Sequence, residues 1–206
     1  MAEQSISDHW AGVYVRKAED EVSWFQESPV RSADWIRAIA RTSETPIIDI
    51  GGGASRLVDA LVASGFMDVT VLDVAASALA RSKARLGESG SKVNWTVADI
   101  TAWQPERNYL VWHDRAVFHF MVEEEQRSRY LTTMDQATTT GSTAIIATFA
   151  LDGPDKCSGL PVQRYSPETL AAALGDRYRL VGAEYESHST PGGSLQAFQY
   201  SRFLKL

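Results

Sequence analysis

Apolar positions along the chain switch between two spacings. Short apolar or alternating runs at 46–50 (Pro46-Ile-Ile-Asp-Ile50), 68–73, 92–97, 109–112 and 143–149 predict strands. Between them the apolar residues recur at helical spacing. Leu57, Val58, Leu61 and Val62 share one face of a helix expected over 54–64, closed by Gly65. A stretch rich in Ala, Arg and Lys predicts a second helix over 75–86, with Gly87 after it. Three Glu open a helix over 123–137, where carboxylates favour the positive end of the helix dipole, and Tyr130, Leu131 and Met134 supply its buried face. Ser166-Pro167-Glu168 starts another, with Ser as N-cap and Pro in the first turn. Strands at 178–186 and 195–203 finish the chain, and the turn Pro191-Gly-Gly193 between them predicts a hairpin.

Strands alternating with helices predict an α/β, doubly wound, mostly parallel sheet covered by helices on both faces. The terminal hairpin is expected to add one antiparallel strand at the sheet's edge. No repeat, low-complexity stretch or linker interrupts this pattern, so residues 1–206 are read as a single domain, with the core over 46–206. Residues 1–45 carry their own helical signals, at Ser28-Pro29 and then Trp35, Ile36 and Ile39. They are expected to form a helical cap over the carboxyl edge of the sheet.

Composition narrows the function. The 206 residues, 44% hydrophobic and 22% charged, suit one soluble globular core. A net charge of −6 argues against a partner made of nucleic acid phosphate. No apolar run is long enough to span a bilayer, and the start lacks the basic and apolar regions of a secretory signal. The single cysteine, Cys157, allows no intrachain disulfide and no cysteine-based zinc site. A cytoplasmic enzyme, with no metal and no membrane or nucleic acid partner, is the expectation.

The chemistry concentrates where the first strand runs into Asp49-Ile-Gly-Gly-Gly-Ala-Ser55. Ligands of open α/β sheets bind beyond the carboxyl ends of the strands. Gly51, Gly52 and Gly53 let the backbone turn and approach a ligand closely, and the following helix aims free N–H groups at it. Asp73 ends the second strand twenty residues after Gly53, a placement that suits the two ribose hydroxyls of a nucleoside, with Val74 beside it. Asp99 ends the third strand, where a carboxylate can accept an adenine amino group while Ile100 packs on the ring. Any one of these acids reads equally well as a helix cap or a solvated loop residue. A pyrophosphate cradle needs G-x-G-x-x-G, and Arg56 stands where the third glycine belongs. Asp49 before the turn would repel pyrophosphate and suits a ligand ammonium. These features favour S-adenosyl-L-methionine over a nicotinamide dinucleotide; a dehydrogenase or a plain nucleoside-binding module is the alternative.

These residues resemble a known superfamily. IIDIGGGAS is similar to motif I of the class I S-adenosylmethionine-dependent methyltransferases, VTVLDVAASAL to the segment bearing their ribose-binding acid, and VADIT to their adenine-contacting segment. The resemblance implies a seven-stranded sheet with a reversed last strand, and methyl transfer from the cofactor. Ser55 stands where the fullest form of motif I has a third Gly.

The acceptor side rests on fewer residues. Val111-Trp-His-Asp-Arg-Ala-Val-Phe-His-Phe120 resembles the W-D-R-G-A-L segment of the thiopurine methyltransferase-like branch, with His113 inserted. Val22-Ser-Trp-Phe-Gln26 is similar to the segment that closes the cofactor pocket there, and Gly159-Leu-Pro161 to one that borders its substrate. His9-Trp10, Tyr14 and Val22-Ser-Trp24 also resemble the N-terminal segment of elongation-factor lysine methyltransferases, which leaves a protein acceptor open beside a small molecule. Tyr14, Trp24 and His113 are thereby added to the candidate cofactor contacts. His113, Asp114, Arg115 and His119 are the candidate catalytic residues: Arg115 to pair with an anionic acceptor or the methionine carboxylate, the histidines to take a proton. An ion pair for Arg115 and structural roles for the histidines are the competing readings. Cys157 reads as a loop thiol, and the aromatics at 10, 24, 25 and 118 as acceptor-pocket walls or as core.

Overall fold

The computed structural model describes residues 6–206; residues 1–5 of the expected cap lie outside the described residues. Two helices, α1 (Ile6–Arg16) and α2 (Val30–Ile39), precede the sheet. Then β1 (Ile47–Ile50), α3 (Leu57–Ala63), β2 (Val69–Asp73), α4 (Ala76–Leu86), β3 (Val93–Val97), β4 (Tyr109–Arg115), α5 (Glu124–Ala137) and β5 (Thr138–Phe149) alternate. Helix α6 (Pro167–Leu174) and the strands β6 (Tyr178–Ser189) and β7 (Leu195–Lys205) complete the chain. The seven strands stand in the order β3-β2-β1-β4-β5-β7-β6.

Strands β1 to β5 are parallel, and β7 runs antiparallel to both β5 and β6. The terminal hairpin therefore does not lie where the pattern placed its reversed strand. The reversed strand β7 sits inside the sheet, and β6 takes the edge. The reason is burial: Phe198, Tyr200 and Phe203 of β7 are fully buried, whereas β6 is mostly exposed or half-buried, with Tyr178 and His188 its buried residues. The richer apolar strand takes the covered place.

Both faces of the sheet are packed. One carries Ile47, Val69, Val71, Val111 and Ile145 against Ile36 of α2 and Leu57 and Leu61 of α3. The other carries Ile48, Ile50, Leu72, Trp112 and Ile146 against Tyr130 and Met134 of α5. Successive residues of a strand face opposite sides. Strand β4 extends to Arg115, three residues beyond its expected end. His113 and Arg115 thus share the α2–α3 face with Val111, and Asp114 joins Trp112 on the α5 face. Strand β5 starts five residues before its apolar run, because α5 passes directly into the polar segment 138–142.

Helix α1 is the element that the apolar pattern did not single out. It lies over the carboxyl edge beside α4, where Arg81 of α4 donates to the carbonyls of Tyr14 and Lys17. Among the described residues, no helix is long and apolar enough to cross a membrane.

Candidate active site

The turn from β1 to α3 requires its glycines. Gly51 and Gly53 have positive φ, at 65° and 38°. A Cβ on Gly51 would meet Val117 Cγ2 at 2.1 Å; one on Gly53 would meet Asp73 Oδ2 at 2.6 Å and the Tyr14 hydroxyl at 2.9 Å. One on Gly52 would lie 2.5 Å from Asp49 Oδ2. A side chain at any of the three would fill the space between the strand ends. Ser55 fits the turn without strain: its Oγ accepts the Leu57 N–H at 3.1 Å, serving the start of α3.

Two hollows meet at this turn. The smaller, about 560 Å³, lies under α2 and the 19–29 segment and is lined by Ser32, Asp49, Gly52, Ser55 and His113 among others. The larger, about 1020 Å³, runs along the ends of β2 and β3 and is lined by Asp73, Val74, Asp99, Ile100 and Thr101, then by Val117, Phe120 and Met121. Trp24, Ile50, Gly51 and Arg115 line both. The cap closes over the junction. Trp10 of α1 meets Trp24 edge-on at 5.6 Å and Phe120 at 5.2 Å, and Trp24 meets Tyr14 at 6.3 Å.

Three acids stand at or just past the carboxyl ends of β1, β2 and β3, and their surroundings differ. Asp73 is buried, and its carboxyl is pushed up to about 7: burial dominates, the nearby Asp49 adds to it, and the N–H groups of Ala75, Gly53 and Val74 oppose it. The Ala75 bond is 2.7 Å. The Tyr14 hydroxyl is raised above its ordinary value by burial and by Asp73. Asp99 spends Oδ1 on the N–H and hydroxyl of Thr101, both at 2.8 Å, which fixes its direction in the larger hollow. Asp49 accepts from His113 Nδ1 at 2.7 Å.

The β4 candidates separate by strand alternation. His113 lines the smaller hollow and Arg115 lines both. Asp114 is fully buried on the opposite face and lines neither. Its oxygens accept the N–H groups of Val117 (2.9 Å) and Phe118 (3.0 Å) and the Tyr130 hydroxyl (2.5 Å), and its carboxyl, pushed up to about 6 by burial, caps the turn after β4. Expected among the catalytic residues, it faces neither hollow. His119, expected there too, also lines neither. It is fully buried between Phe120 and Phe149, at 4.5 and 4.8 Å, and desolvation with the Arg115 charge pushes it down to about 3. A ring so placed stays neutral and takes no proton from a substrate at neutral pH.

Arg115 is held on three sides. Its Nε donates to the Tyr200 hydroxyl at 2.9 Å, Nη1 to the Trp24 carbonyl at 3.0 Å, and the guanidinium lies 4.4 Å above the Phe198 ring. Its remaining nitrogen, Nη2, is buried with no partner. Of the aromatics weighed as pocket walls, Trp10, Trp24 and Phe25 line the hollows, and Phe118 is core. Cys157 is no free loop thiol. It is buried, lines the larger hollow, and burial pushes its thiol up to about 11. It stands in a tight hairpin of Lys156–Cys157 with Leu160–Pro161, so Gly159-Leu-Pro161 forms the outer arm and not the wall. The apolar pattern gave no warning of Ser32, Thr101, Met121 or Gln126 as lining residues.

Comparisons with known proteins agree with this geometry. Residues 47–141, which carry β1 to β4 and all three acids, match the family described as methyltransferase domain. No curated protein matches the chain in sequence. Among solved structures, the chain is similar to the N-methyltransferase NodS from Bradyrhizobium japonicum in complex with S-adenosyl-L-homocysteine. That similarity has a TM-score of 0.72 at 14% identity over 98% of this chain and 99% of that one. It is similar to an S-adenosylmethionine-dependent methyltransferase from Anabaena variabilis, with a TM-score of 0.72 at 12% identity over 99% and 96%. A protein solved in work on conversion of a disulfide bond into a thioacetal group during echinomycin biosynthesis gives 0.76 at 17% identity over 97% and 93%. The strand order, the three acids around a glycine turn and the matched domain point the same way: the chain carries a methyltransferase domain and is an S-adenosyl-L-methionine-dependent methyltransferase.

Proposed function

We propose that this methyltransferase acts on a small molecule that presents an already nucleophilic atom and carries an anionic or hydrogen-bond-accepting group for Arg115. The observation that carries the reading is the unpartnered, buried Nη2 of Arg115 at the junction of the two hollows. A buried guanidinium N–H without an acceptor is costly until a ligand supplies one.

The cofactor fits as follows. Asp73, Val74, Asp99 and Ile100 would hold the nucleoside end, with Tyr14 and Trp24 beside them. Gly51, Gly52, Gly53 and Ser55 would take the amino-acid end, with Asp49 as the acceptor for its ammonium. When bound, S-adenosylmethionine supplies the electrophilic methyl group. The protein's part is alignment and exclusion of water, through Trp10, Trp24, Phe120 and Met121 around the junction. No general base is assigned: both nitrogens of His113 are engaged, and His119 is buried behind the wall. The likeness to the thiopurine methyltransferase-like branch and the enclosed aromatic wall favour a small acceptor over a lysine side chain. A reduced setting such as the cytoplasm suits the single buried thiol.

Incubating the protein with methyl-labelled cofactor and a cell extract, then separating small molecules from macromolecules, tests the proposal. Label is expected in the small-molecule fraction. Label confined to protein would overturn it.

A further inference from the structure

Three side chains from three elements form an unbroken polar chain beneath the smaller hollow. Asp49 ends β1, His113 lies beside it in register on β4, and Ser32 projects from α2. His113 Nδ1 is 2.7 Å from Asp49 Oδ1, and His113 Nε2 is 2.9 Å from Ser32 Oγ. All three residues are buried, at 3%, 2% and 1% exposure. All three line the hollow that the reading above gives to the methionine end of the cofactor.

The register explains why they meet. Parallel neighbours in register place their side chains side by side on one face, so Asp49 and His113 are adjacent by construction. The pairing also sets the imidazole's protons. A carboxylate only accepts, so Nδ1 carries the hydrogen on the Asp49 side, and Nε2 shares the second bond with the Ser32 hydroxyl. Asp49 therefore keeps Oδ1 fixed towards His113, and Oδ2 lies under Gly52, where a cofactor ammonium would pass. Without that hold, Asp49 stands beside a second buried acid, Asp73, whose charge it opposes.

We infer that His113 is a positioning residue, neither a base nor a direct cofactor contact. With Ser32 it locks Asp49 in the orientation that recognises the amino-acid end of S-adenosylmethionine, and it ties that recognition to the placement of α2. This inference rests on the proposed seating of the cofactor, but not on the identity of the acceptor.

Two ligands separate a positioning role from a merely structural one. S-adenosylhomocysteine has the amino-acid end; 5′-deoxy-5′-methylthioadenosine has the nucleoside and the sulfur but lacks that end. Calorimetry with both is the measurement. His113→Leu removes both bonds and is expected to weaken S-adenosylhomocysteine at least about tenfold while changing methylthioadenosine less than about twofold. His113→Asn places an amide N–H near the Nδ1 position and is expected to restore most of the S-adenosylhomocysteine affinity. Ser32→Ala, the mildest change, is expected to cost about threefold on S-adenosylhomocysteine alone. Equal losses on both ligands, or no loss in either His113→Leu or Ser32→Ala, would overturn the inference. If His113→Leu does not fold, Ser32→Ala and His113→Asn still decide it. If the wild-type protein bound methylthioadenosine but not S-adenosylhomocysteine, the cofactor seating itself would be wrong, a result distinct from failure of the relay.

Discussion

The two sides of the cleft are built on opposite principles. On the side of β1, β2 and β3, polar groups point inward: a glycine turn and three acids face the hollows. On the side of β4 and β5, most of the polar residues that look chemical are consumed by the fold. Asp114 caps a turn, and His119 is enclosed by phenyl rings. What is left to face the larger hollow is mostly aromatic and aliphatic wall, with one guanidinium, Gln126 and the Cys157 thiol in it. On the proposed reading, the difference teaches that the cofactor would be recognised by polar groups at strand ends, and the acceptor by the shape of the wall and few polar atoms.

The largest effect is expected at Asp73. Asp73→Ala leaves two ribose hydroxyls without an acceptor in a buried site and should weaken S-adenosylhomocysteine about a hundredfold. Asp73→Asn, which can still accept the Ala75 N–H, should preserve the fold while losing most of that affinity. Calorimetry at neutral pH with both variants checks this. Retention of wild-type affinity would remove the polar side of the comparison.

Arg115→Gln tests the other side. Turnover of the small-molecule fraction should fall at least about tenfold, with S-adenosylhomocysteine affinity changed less than about threefold. The reverse split, affinity lost and turnover per bound cofactor kept, would move Arg115 to the methionine carboxylate. The proposed acceptor side would then lose its one charged anchor.

Strand ends and glycine turns were legible because they are local. The spacing from Gly53 to Asp73 and the acid at Asp99 lie within single strand–turn–helix units, and a sequence displays those units whole. Three features were hidden because they depend on pairing between distant strands. Strand alternation divides His113 and Arg115 from Asp114, yet this needs β4 to extend past Trp112, which its apolar run did not announce. The meeting of Asp49 with His113 needs the register of β1 against β4. The burial of His119 needs Phe149, thirty residues away at the end of β5. The place of β7 inside the sheet was also tertiary, decided by which hairpin strand had more apolar area to bury.

A smaller effect follows from acidity. The Asp73 carboxyl stands at about 7 in the free protein, above its ordinary value. The folded protein therefore holds a proton that the unfolded chain has released between about pH 4 and 7. Its contribution to stability is present at low pH and is lost as pH rises through about 7. Asp114, at about 6, adds to the same trend. Cofactor binding runs the other way, because ribose hydroxyls donate to the carboxylate form. Affinity for S-adenosylhomocysteine should fall as pH drops below about 7, approaching tenfold per unit, with uptake of protons reversed to release on binding. Calorimetry from about pH 6 to 8 in buffers of different ionisation enthalpy, about one unit either side of the midpoint, measures it. Asp73→Asn should flatten the profile; a profile unchanged in that variant would assign the proton elsewhere.

The smallest effect is expected at His119, and it bears directly on the contrast between the two sides. His119 Nε2 is buried with no partner, and Nδ1 faces the Phe149 N–H at 3.5 Å, a long contact. Such a ring contributes shape more than hydrogen bonding. Replacing it by a phenyl removes an unsatisfied N–H and keeps the stack with Phe120 and Phe149. His119→Phe should thus leave thermal stability unchanged or raise it by about 1 kcal/mol, and leave turnover within about twofold. The pH dependence of turnover should not move, because a group held near 3 does not titrate in the working range. A tenfold loss of turnover with a shifted acid limb would mean that His119 reaches the acceptor after all. The wall would then carry a titrating group, and the division between a polar cofactor side and a mostly apolar proposed acceptor side would fail where it is now sharpest.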